Sequence, residues 1–239
     1  MSLKKLIQKI NFIVISCLIL LSCNQRPIEE WVQLIQNNSL EGWEVKNGLA
    51  AYTVENNEIT GTTILNSPNT FLCSKTIYDN FILEFEVMVD TSINSGVQFR
   101  SNNYPEFNNN QVHGYQAEID PSTRAWSGGI YEEGKRGWLY DLKNNEKGQK
   151  AFKNNEWNHY RIEAVEDNLS IWVNDINTSN LKDNATSTGF IGLQVHSIGM
   201  DSINNGKKIK WRNIRIMTSN LSTFKRNPTA RLIDTSEKK

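Results

Sequence analysis

The chain has 239 residues, 26 basic and 26 acidic side chains in balance, 38% hydrophobic residues, and seven Trp and seven Tyr. This balance lacks the basic stripe that nucleic acid calls for. The length suits one large sandwich or barrel.

Lys4, Lys5 and Lys9 make a basic start, and Phe12 to Leu21 is an apolar run broken only by Ser16. The run is about half the ~20 residues of a membrane-spanning helix and has the length of a signal-peptide core. It ends in Leu20-Leu21-Ser22-Cys23, which resembles the lipobox of bacterial lipoproteins. The resemblance implies that residues 1–22 are removed, that Cys23 is lipidated, and that residues 23–30 tether the protein to a membrane of the cell envelope. The mature part is then slightly acidic, and Cys73 is its remaining thiol. One thiol makes no internal disulfide, and no Cys pair is left for zinc. Within Thr70-Phe71-Leu72-Cys73 it reads as a small buried hydrophobe.

From Trp31 onward, helical periodicity is nearly absent. Residues 81–89 alternate Phe81, Leu83, Phe85 and Val87 against Ile82, Glu84 and Glu86, the period of a strand. Segments 96–101, 115–120, 160–165, 169–173, 189–196 and 208–217 read the same way, with turn signals such as Glu166-Asp167-Asn168 between some of them. Many short strands with regular turns predict an all-β sandwich or barrel. The stretch Trp126-Ser127-Gly128-Gly129-Ile130-Tyr131, followed by Arg136-Gly137-Trp138, reads as a loop over the sheet. Tyr131 and Trp138 would there offer rings to the apolar face of a pyranose. Trp157, Trp172 and Trp211 alternate with polar residues and read as core. Residues 219–239 lose all periodicity and are expected to form a flexible tail after a folded domain spanning 31–218.

Three strands carry an unusual polar face. Gln98 and Arg100 stand opposite Val97 and Phe99. Gln116, Glu118 and Asp120 oppose Tyr115, Ala117 and Ile119, and Gln194 with His196 opposes Leu193 and Val195. Half-wet antiparallel strands always alternate, so each set alone is compatible with an outer surface. Together they supply amides, a guanidinium, carboxylates and an imidazole, the equipment of a polar ligand site.

The stretches Asn94-Ser95-Gly96-Val97-Gln98-Phe99-Arg100, Gly114-Tyr115-Gln116-Ala117-Glu118-Ile119-Asp120 and Glu156-Trp157-Asn158-His159-Tyr160-Arg161-Ile162 resemble the 3-keto-disaccharide hydrolase domain family. So do Ile171-Trp172-Val173-Asn174, Gly189-Phe190-Ile191-Gly192-Leu193-Gln194-Val195-His196 and Trp211-Arg212-Asn213-Ile214-Arg215-Ile216, in the family's order. The resemblance implies a concanavalin-like jelly-roll sandwich of two curved antiparallel sheets, with the polar sets lining the concave one. It also implies action on glycosides already oxidised at C3. The segment containing Tyr131 to Trp138 is longer than is usual in that family.

A 3-keto group acidifies the hydrogen on C2, so a base can remove it and the C1 substituent is expelled; water then adds to the enone. This needs a base near neutral pKa, a donor near the enolate oxygen, and an acid for the leaving oxygen. His196 is the candidate base, and Arg100 is suited to the enolate or to a structural bridge with Glu118 or Asp120. Glu118 and Asp120, about 6.6 Å apart along a strand at ~3.3 Å per residue, are the candidate acid and base pair, or hold sugar hydroxyls. Gln98, Gln116, Gln194, Tyr131 and Trp138 complete the expected substrate-binding set, with His113 and His159 peripheral.

Glu118-Ile119-Asp120 also resembles the start of the laminarinase-type Glu-x-Asp-x-x-Glu signature, but position 123 is Thr. Retaining hydrolysis needs both carboxylates. A non-catalytic carbohydrate-binding lipoprotein on the same sandwich remains the alternative. No cofactor is expected; a calcium ion is compatible with the carboxylates, although no ligand spacing demands one. The expected partners are a carbohydrate and, through lipid alone, a membrane.

Overall fold

The computed structural model describes residues 30–235, so Cys23 and its leader lie outside the described residues. In chain order the strands are β1 (Val32–Gln33), β2 (Trp43–Asn47), β3 (Ala51–Glu55), β4 (Glu58–Thr62), β5 (Thr70–Ser74), β6 (Phe81–Val89), β7 (Ser95–Asn102) and β8 (His113–Ile119). They continue with β9 (Ile130–Glu133), β10 (Gly137–Tyr140), β11 (Asn158–Val165), β12 (Asn168–Val173), β13 (Ile176–Lys182), β14 (Phe190–Val195), β15 (Lys208–Met217) and β16 (Ile233–Asp234). Two sheets result. One runs β16-β13-β12-β11-β6-β15-β4-β3 with β1 beside β15, and the other runs β10-β9-β8-β7-β14-β5-β2. Pairing is antiparallel apart from β13 with β16, and the whole is a jelly-roll sandwich: the alternation predicts a sandwich or barrel, and the family resemblance implies the jelly roll.

The alternation explains the layers. Phe81, Leu83, Phe85 and Val87 of β6 and Tyr160, Ile162 and Ala164 of β11 turn into the space between the sheets. They meet Val97 and Phe99 of β7, Tyr115, Ala117 and Ile119 of β8, and Leu193 of β14. Phe85 stacks on Tyr160 with ring centroids 5.1 Å apart, a geometry favoured by aromatic quadrupoles. The Tyr160 hydroxyl satisfies its buried position by donating to the Glu118 main-chain carbonyl at 3.1 Å, which pins β8 to the opposite sheet. Trp172 and Trp211 are buried as expected, whereas Trp157, also read as core, is only half-buried and lies against the Arg212 guanidinium, which takes the place of a core neighbour. Cys73 is buried, reduced and grouped with Phe71, Val112 and Phe190.

Two further expectations are corrected. The stretch from Ile130 to Tyr140 is a hairpin that widens the second sheet, with Trp138 paired to Tyr131. Its charged and glycine-rich sequence concealed strands whose outer residues are only half buried. The segment after residue 218 is not a free tail within the described residues. Thr229 and Ala230 donate main-chain N–H groups to Asn177 Oδ1, Asn180 donates to Ala230 O, and β16 pairs with β13. Side chains of β13 capture the main chain of this segment, an interaction without periodicity for a sequence to display.

Candidate functional site

The outer face of the second sheet holds a cleft of about 270 Å³. Register explains which side chains meet there. Glu118 lies opposite Gly96, Gln98 opposite Gln116, and Gln116 opposite Tyr131, while Gln194 pairs with Gly96 from the other side. Residues of one parity on neighbouring strands share a face, so Gln116, Glu118, Gln194, His196, Tyr131 and Trp138 line one cleft. Asn69, Asn94, Arg124 and Glu133 complete its lining.

At its floor a one-way hydrogen-bond chain ends on Glu118. The Ser101 hydroxyl donates to Gln98 Oε1 at 2.7 Å, and Gln98 Nε2 donates to Gln116 Oε1 at 2.7 Å. Gln116 Nε2 donates to Glu118 Oε2 at 3.0 Å, and Asn94 Nδ2 donates to Glu118 Oε1. In its ionised form the carboxylate only accepts, which fits the sense of every amide before it. Burial pushes the Glu118 carboxyl up to about 7, against the lowering effect of the Asn94 and Gln116 hydrogen bonds and with a raising contribution from Asp120. Glu118 is therefore substantially protonated near neutrality. Both partners of its oxygens are donors, so the proton of the neutral form has no acceptor among the described residues and is directed to the cleft.

His196 follows β14. Its Nδ1 lies 2.7 Å from the Ser197 carbonyl, which can only accept, so Nδ1 carries the hydrogen and Nε2 keeps a lone pair in the neutral ring. Burial lowers its pKa from the ordinary 6.5, partly countered by that hydrogen bond. The imidazole is thus a neutral base near pH 7. Gln194 is fully buried, yet neither its Oε1 nor its Nε2 has a partner among the described residues. A buried amide with both ends unmet costs free energy, and this one borders the cleft. Tyr131 and Trp138 stand edge to face with centroids 5.3 Å apart, and the Arg124 guanidinium lies 5.0 Å from the Trp138 ring centre.

Three expected members of the face are elsewhere. Arg100 has a left-handed φ of 46°, at a register irregularity of β7 between Phe99 and Asn102. The irregularity interrupts the period of two and turns Arg100 away from Gln98. Its guanidinium is bonded to Asp79 O, Glu166 O, Ala164 O and Asn80 Oδ1, where it ties the sheets together and touches neither Glu118 nor Asp120. Gly189 permits the close approach there, since a β-carbon on it would fall 2.3 Å from Arg100 C. Asp120 lies one residue past β8, accepts from Ser122 N and Arg124 Nε, and so holds Arg124 without lining the cleft. Gln98 sits beneath Gln116, fully buried. Of the peripheral histidines, His113 packs against Phe107 with centroids 4.0 Å apart, and His159 lies 3.8 Å from Glu84 on the first sheet.

Four lining residues escaped the sequence reading. Glu133 shares parity with Tyr131, a signal usable once β9 is seen as a strand. Arg124 is four residues from Asp120, its ion-pair partner. Asn69 and Asn94 come from the ends of loops and carry no local signal. Burial raises the Glu133 carboxyl, opposed by the Asn69 hydrogen bond. Among the described residues no three His, Cys, Asp or Glu side chains converge as a metal-binding group.

No curated protein matches the chain. Solved structures share the fold at low identity. The carbohydrate-binding module CBM66 of Bacillus subtilis is 20% identical with a TM-score of 0.53, over 74% of this chain and 96% of that one. A Bacillus subtilis protein of unknown function with a galectin-like fold is 8% identical with a TM-score of 0.57, over 79% and 94%. A Parabacteroides distasonis protein, provisionally described as a glycosyl hydrolase, is 18% identical with a TM-score of 0.54, over 79% and 99%. Residues 30–217, which contain every lining residue of the cleft, match the 3-keto-alpha-glucoside-1,2-lyase-like domain, and the chain belongs to that carbohydrate-related family.

Proposed function

We propose that the protein cleaves 3-keto-glycosides by elimination across C1 and C2, followed by hydration of the enone. The observation that carries this reading is the pairing, in one cleft, of a neutral imidazole whose Nε2 keeps its lone pair with a buried carboxyl group pushed up to about 7. His196 Nε2 takes the proton from C2 of the sugar, and its electrons move toward the C3 carbonyl oxygen. Protonated Glu118, held by Asn94 and Gln116, donates a hydrogen bond to that oxygen as charge develops. A neutral carboxylic acid is a strong donor in such a site, and the preorganised amides behind it need no rearrangement. Gln194 meets a sugar hydroxyl with its unpartnered amide, and Tyr131 and Trp138 bound the ring. Collapse of the enolate expels the C1 oxygen, and water then adds at C1.

The test is incubation of residues 24–239 with a 3-keto-disaccharide and with its unoxidised parent, following sugar release. Cleavage confined to the keto compound and abolished in His196→Ala supports the elimination route. Saturable binding of both without cleavage supports the second reading, a carbohydrate-binding protein, which the paired aromatic rings and the unpartnered Gln194 amide also favour. The lipid anchor at Cys23 and a place in the cell envelope belong to the same proposal.

A further inference from the structure

Beside the catalytic cleft lies a second, larger cavity of about 530 Å³. The two share Asn69 and Glu133 in their linings. Asn69 Nδ2 donates to Glu133 Oε1 at 3.2 Å, so a hydrogen bond running from the end of β9 to the loop before β5 forms the sill between them. Asn69 Oδ1 in turn accepts from Ser197 N at 2.9 Å, and Ser197 O is the group that orients His196. The base and the sill are therefore built on one short chain of contacts. On the far side, Phe71 and Pro68 give apolar surface and Asn108, Asn109, Asn47 and Gln111 give amides, a mixture matched to a second sugar ring.

A substrate occupying both cavities crosses the sill at the bond joining its two halves. Base and leaving oxygen act on neighbouring carbons, C2 and C1, and the sill adjoins His196. Glu133 Oε2 has no partner among the described residues, while Oε1 is held by Asn69. We infer that Glu133 is the acid that protonates the departing glycosidic oxygen, with the leaving sugar seated in the second cavity. This rests on the elimination reading above. The C2–H bond breaks, its proton going to His196 Nε2 and its electron pair forming the C1–C2 double bond. The C1–O bond breaks, its pair staying on oxygen, which takes the proton of Glu133. In the hydration half, the Glu133 carboxylate removes a proton from the water that adds to C1, and His196 returns its proton to C2. Burial, which raises the Glu133 carboxyl, keeps more of it in the acid form.

The experiment compares two 3-keto-glucosides in wild type and Glu133→Gln: a disaccharide, whose alkoxide leaves poorly without a proton, and a 4-nitrophenyl glycoside, whose phenolate needs none. Gln retains an acceptor for Asn69. Timed in a single turnover, which reads the elimination half alone, the expected result is a loss of about 10²-fold or more on the disaccharide, with nitrophenolate released from the second compound within a few-fold of wild type. That second activity shows that the variant is folded. Equal losses on both compounds, or no loss on either, overturn the assignment while leaving the elimination reading intact. A wild type inert to both keto compounds overturns the elimination reading and the assignment together.

Discussion

Gly96 and Gln116 compete for one space: a β-carbon at position 96 would lie 2.3 Å from Cδ of Gln116. Gln116 lies across its neighbouring strand because nothing projects from residue 96, and this posture lets it reach both Gln98 and Glu118. Gly96→Ala must displace the amide and break two hydrogen bonds of about 1 kcal/mol each. The expected outcome is a fall of tenfold or more in kcat/KM on a 3-keto-disaccharide, with a melting point only a few degrees lower. Steady-state kinetics beside a thermal melt check it.

Glu118 is expected to titrate near 7 in the free protein, visible as a carboxyl C=O infrared band that vanishes above that pH and is missing in Glu118→Gln. Asn94 stabilises the ionised form by donating to it. Asn94→Ala should therefore move the titration upward, and a downward move would contradict the hydrogen-bond sense described. In turnover, His196 must be neutral and Glu118 protonated. Activity should decline at acid pH as the imidazole gains a proton, below its ordinary 6.5, and decline again as pH rises through about 7.

Arg100 should prove a residue of stability. Its guanidinium is 1% exposed at the residue level and bonded to three main-chain carbonyls and one amide. Arg100→Met takes the charged donor from Ala164 O, which is buried, and from three part-buried acceptors, at a cost of about 3 kcal/mol or more, roughly 6–12 °C in Tm for a domain of this size. Below the melting range kcat/KM should stay within a few-fold of wild type. A stable but inactive Arg100→Met would return the residue to the catalytic set.

Acid lability should trace to Glu84. Burial alone would raise its carboxyl, but the His159 ring 3.8 Å away and hydrogen bonds from Arg215 and Arg161 together hold it at about 2. The folded-state pKa lies below the unfolded value of ~4.3, so on acidification the unfolded chain takes up the proton first. The contribution is complete above the ordinary carboxylate range and is lost as pH falls through about 2. Melting temperatures between pH 6 and pH 2 should fall less steeply for Glu84→Gln than for wild type.

Cys23→Ala in the full chain should shift the protein from the detergent phase to the aqueous phase on phase partition and abolish incorporation of labelled fatty acid. Retention in the detergent phase would refute the lipid anchor.

The part of this site visible in the sequence is the part governed by strand alternation. Gln116, Glu118, Gln194 and His196 fall together because β8 and β14 keep a period of two across the cleft. Arg100 deceived because β7 loses that period between Phe99 and Asn102, and a one-residue slip reverses every face assignment beyond it. Asp120 deceived because alternation stops where β8 stops. Glu133 was hidden in a charged hairpin whose strands lack β-branched runs, and Asn69 and Asn94 arrive from loops whose approach to Glu133 and Glu118 is a tertiary fact. The sandwich itself was legible, since the core residues of β6, β11 and β15 repeat plainly.

The chain beyond the family domain has a consequence for solubility. β13 is seven residues long; Asn145 Nδ2 caps Asn177 O and Thr178 O at one end of its outer rim, while the Leu181–Lys182 end, without the closing segment, would present unpaired amide and carbonyl groups, a template for another molecule's strand. The closing segment occupies that rim and replaces it with a pair only two residues long, Ile233 and Asp234. A protein ended at residue 217 would lose that pairing and leave the Leu181–Lys182 end of the rim open to another molecule's strand.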